Sequence, residues 1–125
     1  MQEDFVPSEE AQREGVCHTE KECEALHKEI DVHLRNAAAD SLRDALLKDK
    51  DTMKRLIDAK VHEDGSYFAA VPREPGVAMF FGMGVRNYLR QQGFGEKELK
   101  VHNMDCVFTY ILRDAVRMEV ERTAQ

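Results

Sequence analysis

The sequence predicts a mainly α domain, a small bundle of four or five helices with at most one short β-hairpin. Apolar residues recur at steps of three and four over most of the chain. Helix caps and glycines stand where these stretches begin and end, and 125 residues are enough for a single core. We expect residues 1–18 to be a flexible N-terminal arm and residues 19–125 to form one helical domain.

The first helical stretch begins at Thr19, which forms a capping box with Glu22. The stretch continues to about residue 48 as one long helix or as two helices in succession. We favour two, with a break near Asn36 or within Ser41–Asp44. The stripe that predicts them, with Leu26 and Ala37 alongside it, consists of Cys23, His27, Ile30, Leu34, Ala38, Leu42, Ala45 and Leu46.

A short third helix is expected over residues 51–60, capped by Asp51 or Thr52. Its buried residues would be Met53, Leu56 and Ile57. In residues 61–68, an Asp-Gly pair lies between residues that favour strands. Because Asp-Gly tolerates the positive φ angles of a type I′ turn, this segment predicts either a small hairpin or an irregular loop.

Residues 76–92 form the most apolar stretch and predict a buried helix around which the others pack. Pro75 suits its first turn, and Gly93 is in the position where a helix commonly ends. Gly82 and Gly84 each cost about 1 kcal/mol of helix propensity relative to alanine. We therefore expect a neighbouring element to approach closely at these glycines.

The last helix is expected to begin after Asn103, a favourable cap residue, with Asp105 in its first turn. An acidic side chain there interacts favourably with the helix dipole. The predicted buried stripe consists of Val107, Phe108, Ile111, Leu112, Ala115 and Val116.

The charge of the chain bears on its partners. The net charge is −6, and the first 64 residues carry 17 acidic and 10 basic side chains. Because nucleic-acid binding depends on basic groups that neutralise phosphates, we expect no nucleic-acid partner. No apolar run approaches the roughly 20 residues of a membrane helix, so we expect no membrane partner. A protein partner fits better, and an apolar patch at Met79 and Phe80 would favour a homodimer.

The opening residues are polar and do not resemble a secretory signal peptide. The chain has three cysteines, an odd number. Without an export signal, this number indicates free thiols in a reducing compartment. We therefore expect a cytoplasmic protein.

Cys17, His18, Cys23 and His27 are the residues most suggestive of a metal site. Cys23 and His27 are one helical turn apart, and the other two could complete a tetrahedral zinc site from the preceding loop. However, five residues separate the cysteines, which is more than the usual two to four. Because Cys23 and His27 also lie on the apolar stripe, we expect core positions and no cofactor. A small zinc-binding protein is the alternative.

Catalytic motifs such as H-E-x-x-H, G-x-S-x-G or a phosphate-binding loop are absent from the sequence. Cys106 and His102 are four residues apart, but Cys106 borders the apolar stripe of the last helix. We therefore expect a protein without enzymatic activity. A small enzyme with a site at Arg86, His102 and Asp105 is an alternative.

The run Phe81-Gly82-Met83-Gly84-Val85-Arg86-Asn87 is followed by His102 and Asp105 at the head of the helix that contains Ile111-Leu112. This arrangement, over residues 77–116, resembles an uncharacterised family of small helical bacterial and phage domains. The resemblance implies a compact helical fold and no particular activity.

Arg86, Asn87, His102 and Asp105 also have a physical interpretation of their own. They would form either a polar clamp between the last two helices or a site for a ligand or partner, and we favour the clamp. The leading hypothesis for function is a non-enzymatic protein–protein interaction or accessory module, and the resemblance suggests that it is phage-related.

Overall fold

The computed structural model describes residues 8–14, 19–64 and 77–124. These residues form helices and the turns between them, which confirms the predicted mainly α fold. Five of these helices have nine residues or more, and the other three are shorter. The helices are α1 (Glu9–Glu14), α2 (Glu20–Glu29), α3 (Val32–Leu47), α4 (Lys50–Asp58), α5 (Val61–Asp64), α6 (Val77–Gln91), α7 (Glu96–Leu99) and α8 (Met104–Thr123).

The longest helix, α8, is the centre of the domain, because α2, α3, α4, α5 and α6 all pack against it. The side chain of Asn103 caps it by accepting a hydrogen bond from the Asp105 backbone N–H at 3.0 Å, as predicted. The central place of α8 corrects the prediction that residues 76–92 are the helix around which the others gather. The predicted stripe is confirmed as buried: Val107, Phe108, Ile111, Leu112, Ala115 and Val116.

The first helical stretch consists of two helices, as favoured, but the break comes earlier than predicted. Thr19 caps α2, and the helix ends at Ile30. Asp31 then caps α3, since its carboxylate accepts hydrogen bonds from two backbone N–H groups of the first turn, at 3.1 and 3.2 Å. The predicted breaks near Asn36 and Ser41 both lie inside α3. The apolar stripe continues in phase across the junction, so its period did not reveal the break.

Helix α4 begins one residue before the predicted start. Its cap is Asp49, which accepts a hydrogen bond from the Thr52 backbone N–H at 3.4 Å, and not Asp51 or Thr52. Met53 and Leu56 are buried as predicted. The next segment, α5, is helical, so the hairpin is wrong for Val61–Asp64. Residues 65–68, the rest of that predicted hairpin, lie outside the described residues.

Helix α6 has nearly the predicted bounds, and Gly93 follows it with a φ of 85°, in the left-handed region that glycine adopts readily. Val85 and Leu89 belong to the core. Met83 is 40% exposed, so this helix is not apolar and buried on every side. Within the described ranges, no atom of a neighbouring element lies within 4 Å of a Cβ placed on Gly84, so these residues do not make the close approach predicted there.

Part of the predicted N-terminal arm is helical, since residues 9–14 form α1. The Ser8 hydroxyl donates a hydrogen bond to the Glu22 carboxylate at 2.5 Å, which links this segment to α2. The side chains of Met79 and Phe80, on which the homodimer prediction depends, lie outside the described residues. Among the helices that the structure describes, none combines the length and the apolar character needed to cross a bilayer.

Candidate functional site

A disulfide bond joins Cys23 on α2 to Cys106 on α8, two residues that are 83 positions apart in the sequence. Cys106 is 5% exposed, so one end of the bond is in the core. The bond contradicts the prediction that the cysteines are free thiols. Sequence reasoning used the odd number of cysteines, whereas pairing depends on which helices become neighbours.

The disulfide also bears on the zinc hypothesis for Cys17, His18, Cys23 and His27. A sulfur in a disulfide is not a thiolate, and thiolate is the form that binds zinc. Cys17 and His18 lie outside the described residues. Within the residues that the structure describes, no group of three or more histidine, cysteine or acidic side chains is placed to hold a metal ion.

Arg86 on α6 and Asp105 on α8 come together as an ion pair between the two helices. Arg86 Nη1 lies 3.0 Å from Asp105 Oδ1. The Arg86 guanidinium also lies over the Phe108 ring, 5.2 Å from its centroid. The Arg86 side chain is 20% exposed and that of Asp105 is 63% exposed, so the pair is at the surface. This geometry fits the clamp interpretation for these two residues.

The other two residues of the predicted clamp have different positions. Asn87 is exposed, and its side-chain oxygen accepts a hydrogen bond from Arg90 Nη1 at 3.2 Å, along the same helix. His102 is exposed and lies in the turn before the Asn103 cap. The structure therefore brings Arg86 and Asp105 into direct contact, whereas Asn87 forms a hydrogen bond with a residue of its own helix.

His27 and Asp114 form a partly buried pair that the sequence did not indicate. His27 is 3% exposed, and its Nε2 lies 2.8 Å from Asp114 Oδ2. The Tyr110 ring lies beside the imidazole, with 5.6 Å between the ring centroids. The Tyr110 hydroxyl donates a hydrogen bond to the Glu20 carbonyl at 3.0 Å, and burial raises the pKa of this hydroxyl above its usual value. These contacts fasten α2 to α8.

An open pocket of about 380 Å³ lies above this pair, and we call it the cationic pocket. Four of its lining residues are basic and two are acidic, in a chain whose net charge is negative. The basic residues come from α2, α3 and α8, so the tertiary fold collects them. The cationic pocket is lined by His27, Lys28, Arg35, Asn36, Arg113, Asp114, Arg117, Met118 and Glu121.

A second pocket of about 510 Å³ lies where the junction of α2 and α3 faces α7, and we call it the acidic groove. Its floor is apolar, and its rim carries three carboxylates and one ammonium group. The apolar lining residues are Leu26, Ile30, Leu34, Leu99 and Val101, and the charged ones are Glu29, Asp31, Glu98 and Lys100.

Sequence reasoning missed both pockets for the same reason. The His27–Asp114 pair joins residues 87 positions apart, and the acidic groove joins residues of α2 and α3 to those of α7. The available signal was the position of Asp114 beside the buried stripe of α8, since a carboxylate at such a border is usually paired. The local sequence pattern did not indicate which residue pairs with Asp114.

Comparison with known protein families, with curated proteins and with solved structures finds no match to this chain. The resemblance of residues 77–116 to a family of bacterial and phage domains therefore stays a prediction. The chemistry of the two pockets is then the basis for a functional assignment.

Proposed function

We propose that the protein is a non-enzymatic interaction module that binds an amphipathic, basic segment of a partner protein in the acidic groove. The observation that carries this proposal is the combination of an exposed apolar surface with an acidic rim. Leu34, on the groove, is 36% exposed, and Val32, at the start of the same helix, is 48% exposed. Exposed apolar surface rimmed by polar groups is typical of protein-binding sites.

Two of the carboxylates on the rim are held in place by the backbone. The Asp31 carboxylate accepts hydrogen bonds from the first turn of α3. The Glu98 carboxylate accepts a hydrogen bond from the Gly95 backbone N–H at 3.1 Å. Because these side chains are already ordered, little conformational entropy would be lost when a partner binds to them.

The charge of the groove selects its occupant. Glu29, Asp31 and Glu98 outnumber the single cation, Lys100, so lysine or arginine side chains of a partner would meet complementary charge. Leu34 and Val101 offer apolar contact to an aliphatic side chain of the same segment. A helix with one apolar face and basic residues beside it satisfies both conditions.

The proposal is tested with two synthetic amphipathic peptides of equal length, one built from leucine and lysine and the other from leucine and glutamate. Fluorescence anisotropy should show binding of the leucine–lysine peptide alone. The Leu34→Asp variant should bind it about tenfold more weakly, because one desolvated aliphatic contact is worth about 1.5 kcal/mol. Since this variant adds negative charge, purely electrostatic binding would instead become tighter.

Met83→Asp is the matched control, because Met83 is 40% exposed but belongs to α6 and does not line the groove. It should bind the peptide as the wild type does. Equal binding of the two peptides, or equal loss in the two variants, would contradict the proposal. Sedimentation of the wild type as a dimer that Leu34→Asp dissociates would instead assign the groove to a second copy of the chain.

When cross-linked in cells, the wild type and the Met83→Asp variant should capture the same partner protein. The Leu34→Asp variant should not capture it. The cross-linked segment of that protein should be amphipathic and basic. A segment with acidic or wholly polar residues at the cross-link would argue against the proposed occupant.

A cytoplasmic location is proposed from the sequence, and the disulfide constrains it. Reducing thiols in the cytoplasm keep most cysteines reduced, so a disulfide there is usually transient. Alkylation of cysteines in intact cells, before lysis, should find Cys23 and Cys106 as thiols if the protein is cytoplasmic. A bond that is fully formed in cells would place the protein in an oxidising compartment instead.

A further inference from the structure

The cationic pocket concentrates positive charge on an acidic protein. Lys28, Arg35, Arg113 and Arg117 contribute four positive charges to its lining, against the two carboxylates of Asp114 and Glu121. The excess of two charges matches a phosphate monoester, which is mostly a dianion at neutral pH. Its volume of about 380 Å³ is within the range of small-molecule sites.

The Asp114 carboxylate in the pocket already has three partners. Asp114 Oδ2 contacts His27 Nε2 at 2.8 Å. Asp114 Oδ1 lies 3.9 Å from Arg113 Nε and 3.8 Å from Arg117 Nη1. The two arginines therefore offset part of its negative charge, and its repulsion of a bound anion is reduced.

Each guanidinium group also has a contact with an uncharged group that holds it in position. Arg35 Nη1 donates to the His27 carbonyl at 3.3 Å, at the C-terminal end of α2. Arg117 Nη2 donates to the His62 carbonyl at 3.2 Å. Arg113 lies over the Tyr110 ring, 4.9 Å from its centroid. Carbonyls and aromatic faces carry no net charge, so these contacts orient the arginines without neutralising them.

Lys28 differs from the arginines, because its Nζ lies 3.5 Å from a carboxylate oxygen of Glu24. Its side chain is 69% exposed, and such surface ion pairs are weak. Lys28 can therefore turn toward an anion in the pocket.

Two buried nitrogen atoms of residues that line the pocket make no hydrogen bond within the described part of the chain. They are His27 Nδ1 and Arg113 Nε. Buried polar atoms usually have a partner, and exceptions are often found where a ligand or an ion belongs. This observation is independent of the charge count, and both atoms belong to residues that line the same pocket.

We propose that the cationic pocket binds a phosphate group, as free phosphate or as part of a small phosphorylated metabolite. Arginine donates paired hydrogen bonds that match phosphate oxygens, and three arginines surround this space. This site is separate from the acidic groove, since the two pockets share no lining residue. The inference does not rest on the proposed interaction with a partner protein.

The test is a titration of the full chain, followed by ¹H–¹⁵N NMR at constant ionic strength. Inorganic phosphate, glycerol phosphate and acetate are the three probes. Both phosphates should produce saturable shifts at Arg35, Arg113 and Arg117, and acetate should not. Tighter binding of glycerol phosphate would identify a phosphorylated metabolite as the source, and tighter binding of inorganic phosphate would identify the free ion.

Arg117→Gln removes one cation from a side chain that is 45% exposed, so the fold should tolerate the change. The loss of one charge-assisted contact should weaken phosphate binding about tenfold. Arg90→Gln is the matched control, because Arg90 is 43% exposed and pairs with Glu96 outside the pocket. Shifts that do not saturate, equal binding of acetate, or equal affinity of the two variants would each overturn the proposal.

Discussion

At the scale of single residues, Arg86 holds α6 against the first turns of α8 through two different contacts. One is the ion pair with Asp105 at 3.0 Å, and the other is the stacking of its guanidinium over Phe108. Asp105 is 63% exposed, so solvent screens the ion pair. Phe108 is 3% exposed, so the second contact is at the edge of the core. The contact with the ring should therefore contribute more to stability.

The different contributions of the two Arg86 contacts to stability predict the outcome of two substitutions. Arg86→Ala removes both contacts and the packing of the side-chain stem, and it should lower the free energy of unfolding by about 1–2 kcal/mol. Asp105→Asn removes the ion pair and the favourable charge at the start of α8, and it should still cost less than about 1 kcal/mol. Urea denaturation measures both values. A loss for Asp105→Asn as large as that for Arg86→Ala would show that the ion pair dominates.

The candidate residues show how far sequence reasoning reaches at this scale. It placed Arg86 and Asp105 together because Arg86 was assigned to one long helix and Asp105 to the start of the next long helix. It did not find His27 with Asp114, because one lies in the second helix and the other in the last. The metal hypothesis for Cys23 and the catalytic hypothesis for Cys106 each considered the cysteine only with residues close to it in the sequence. The disulfide joins them across the bundle.

At the scale of helices, α3 packs against α8 and buries small side chains. Ala38 and Ala39 are both fully buried. Ala37, the residue before them, is exposed, although the sequence pattern placed it beside the buried stripe. Three alanines in succession therefore differ only in the direction that each one faces.

The three alanines provide a matched test of this packing. Ala38→Leu inserts three carbon atoms into a filled interface, and it should lower the free energy of unfolding by about 1–3 kcal/mol. Ala37→Leu places the same side chain on the surface and should change stability by less than about 0.5 kcal/mol. Thermal or urea denaturation distinguishes the two. Similar stabilities for both variants would mean that Ala38 does not face a close-packed neighbour.

The helices also show which structural features are encoded locally. The caps at Thr19 and Asn103 and the C-terminal glycine at Gly93 were predicted correctly, because each depends on residues within one turn. The end of α2 at Ile30 was missed, because the apolar period continues through it. The relative importance of α6 and α8 was also wrong. Hydrophobicity along one helix does not determine how many others pack on it.

At the scale of the whole molecule, the disulfide ties the first long helix to the last. The Cys23–Cys106 bond closes a loop across 83 positions, which includes every helix from α3 to α7. A cross-link over such a loop stabilises a protein mainly by restricting its unfolded chain. The loop is long, so the effect should be large.

Reduction with a dithiol should lower the free energy of unfolding by about 2–4 kcal/mol. The double variant Cys23→Ala, Cys106→Ala should be destabilised similarly and should not respond to the dithiol. Cys17→Ala is the matched control, and it should retain the response. Alkylation under denaturing conditions should label two fewer cysteines before reduction than after it. Equal labelling would mean that the bond is absent from the purified protein.

The sequence by itself determined the helical class of the protein, most helix positions and the buried stripe of α8. These features follow from apolar period, caps and glycines, and each depends on residues a few positions apart. The tertiary structure decided which helix is central, which cysteines pair, and where the acidic groove and the cationic pocket form. Those features join residues that are far apart in the chain, and they depend on how the helices pack against one another.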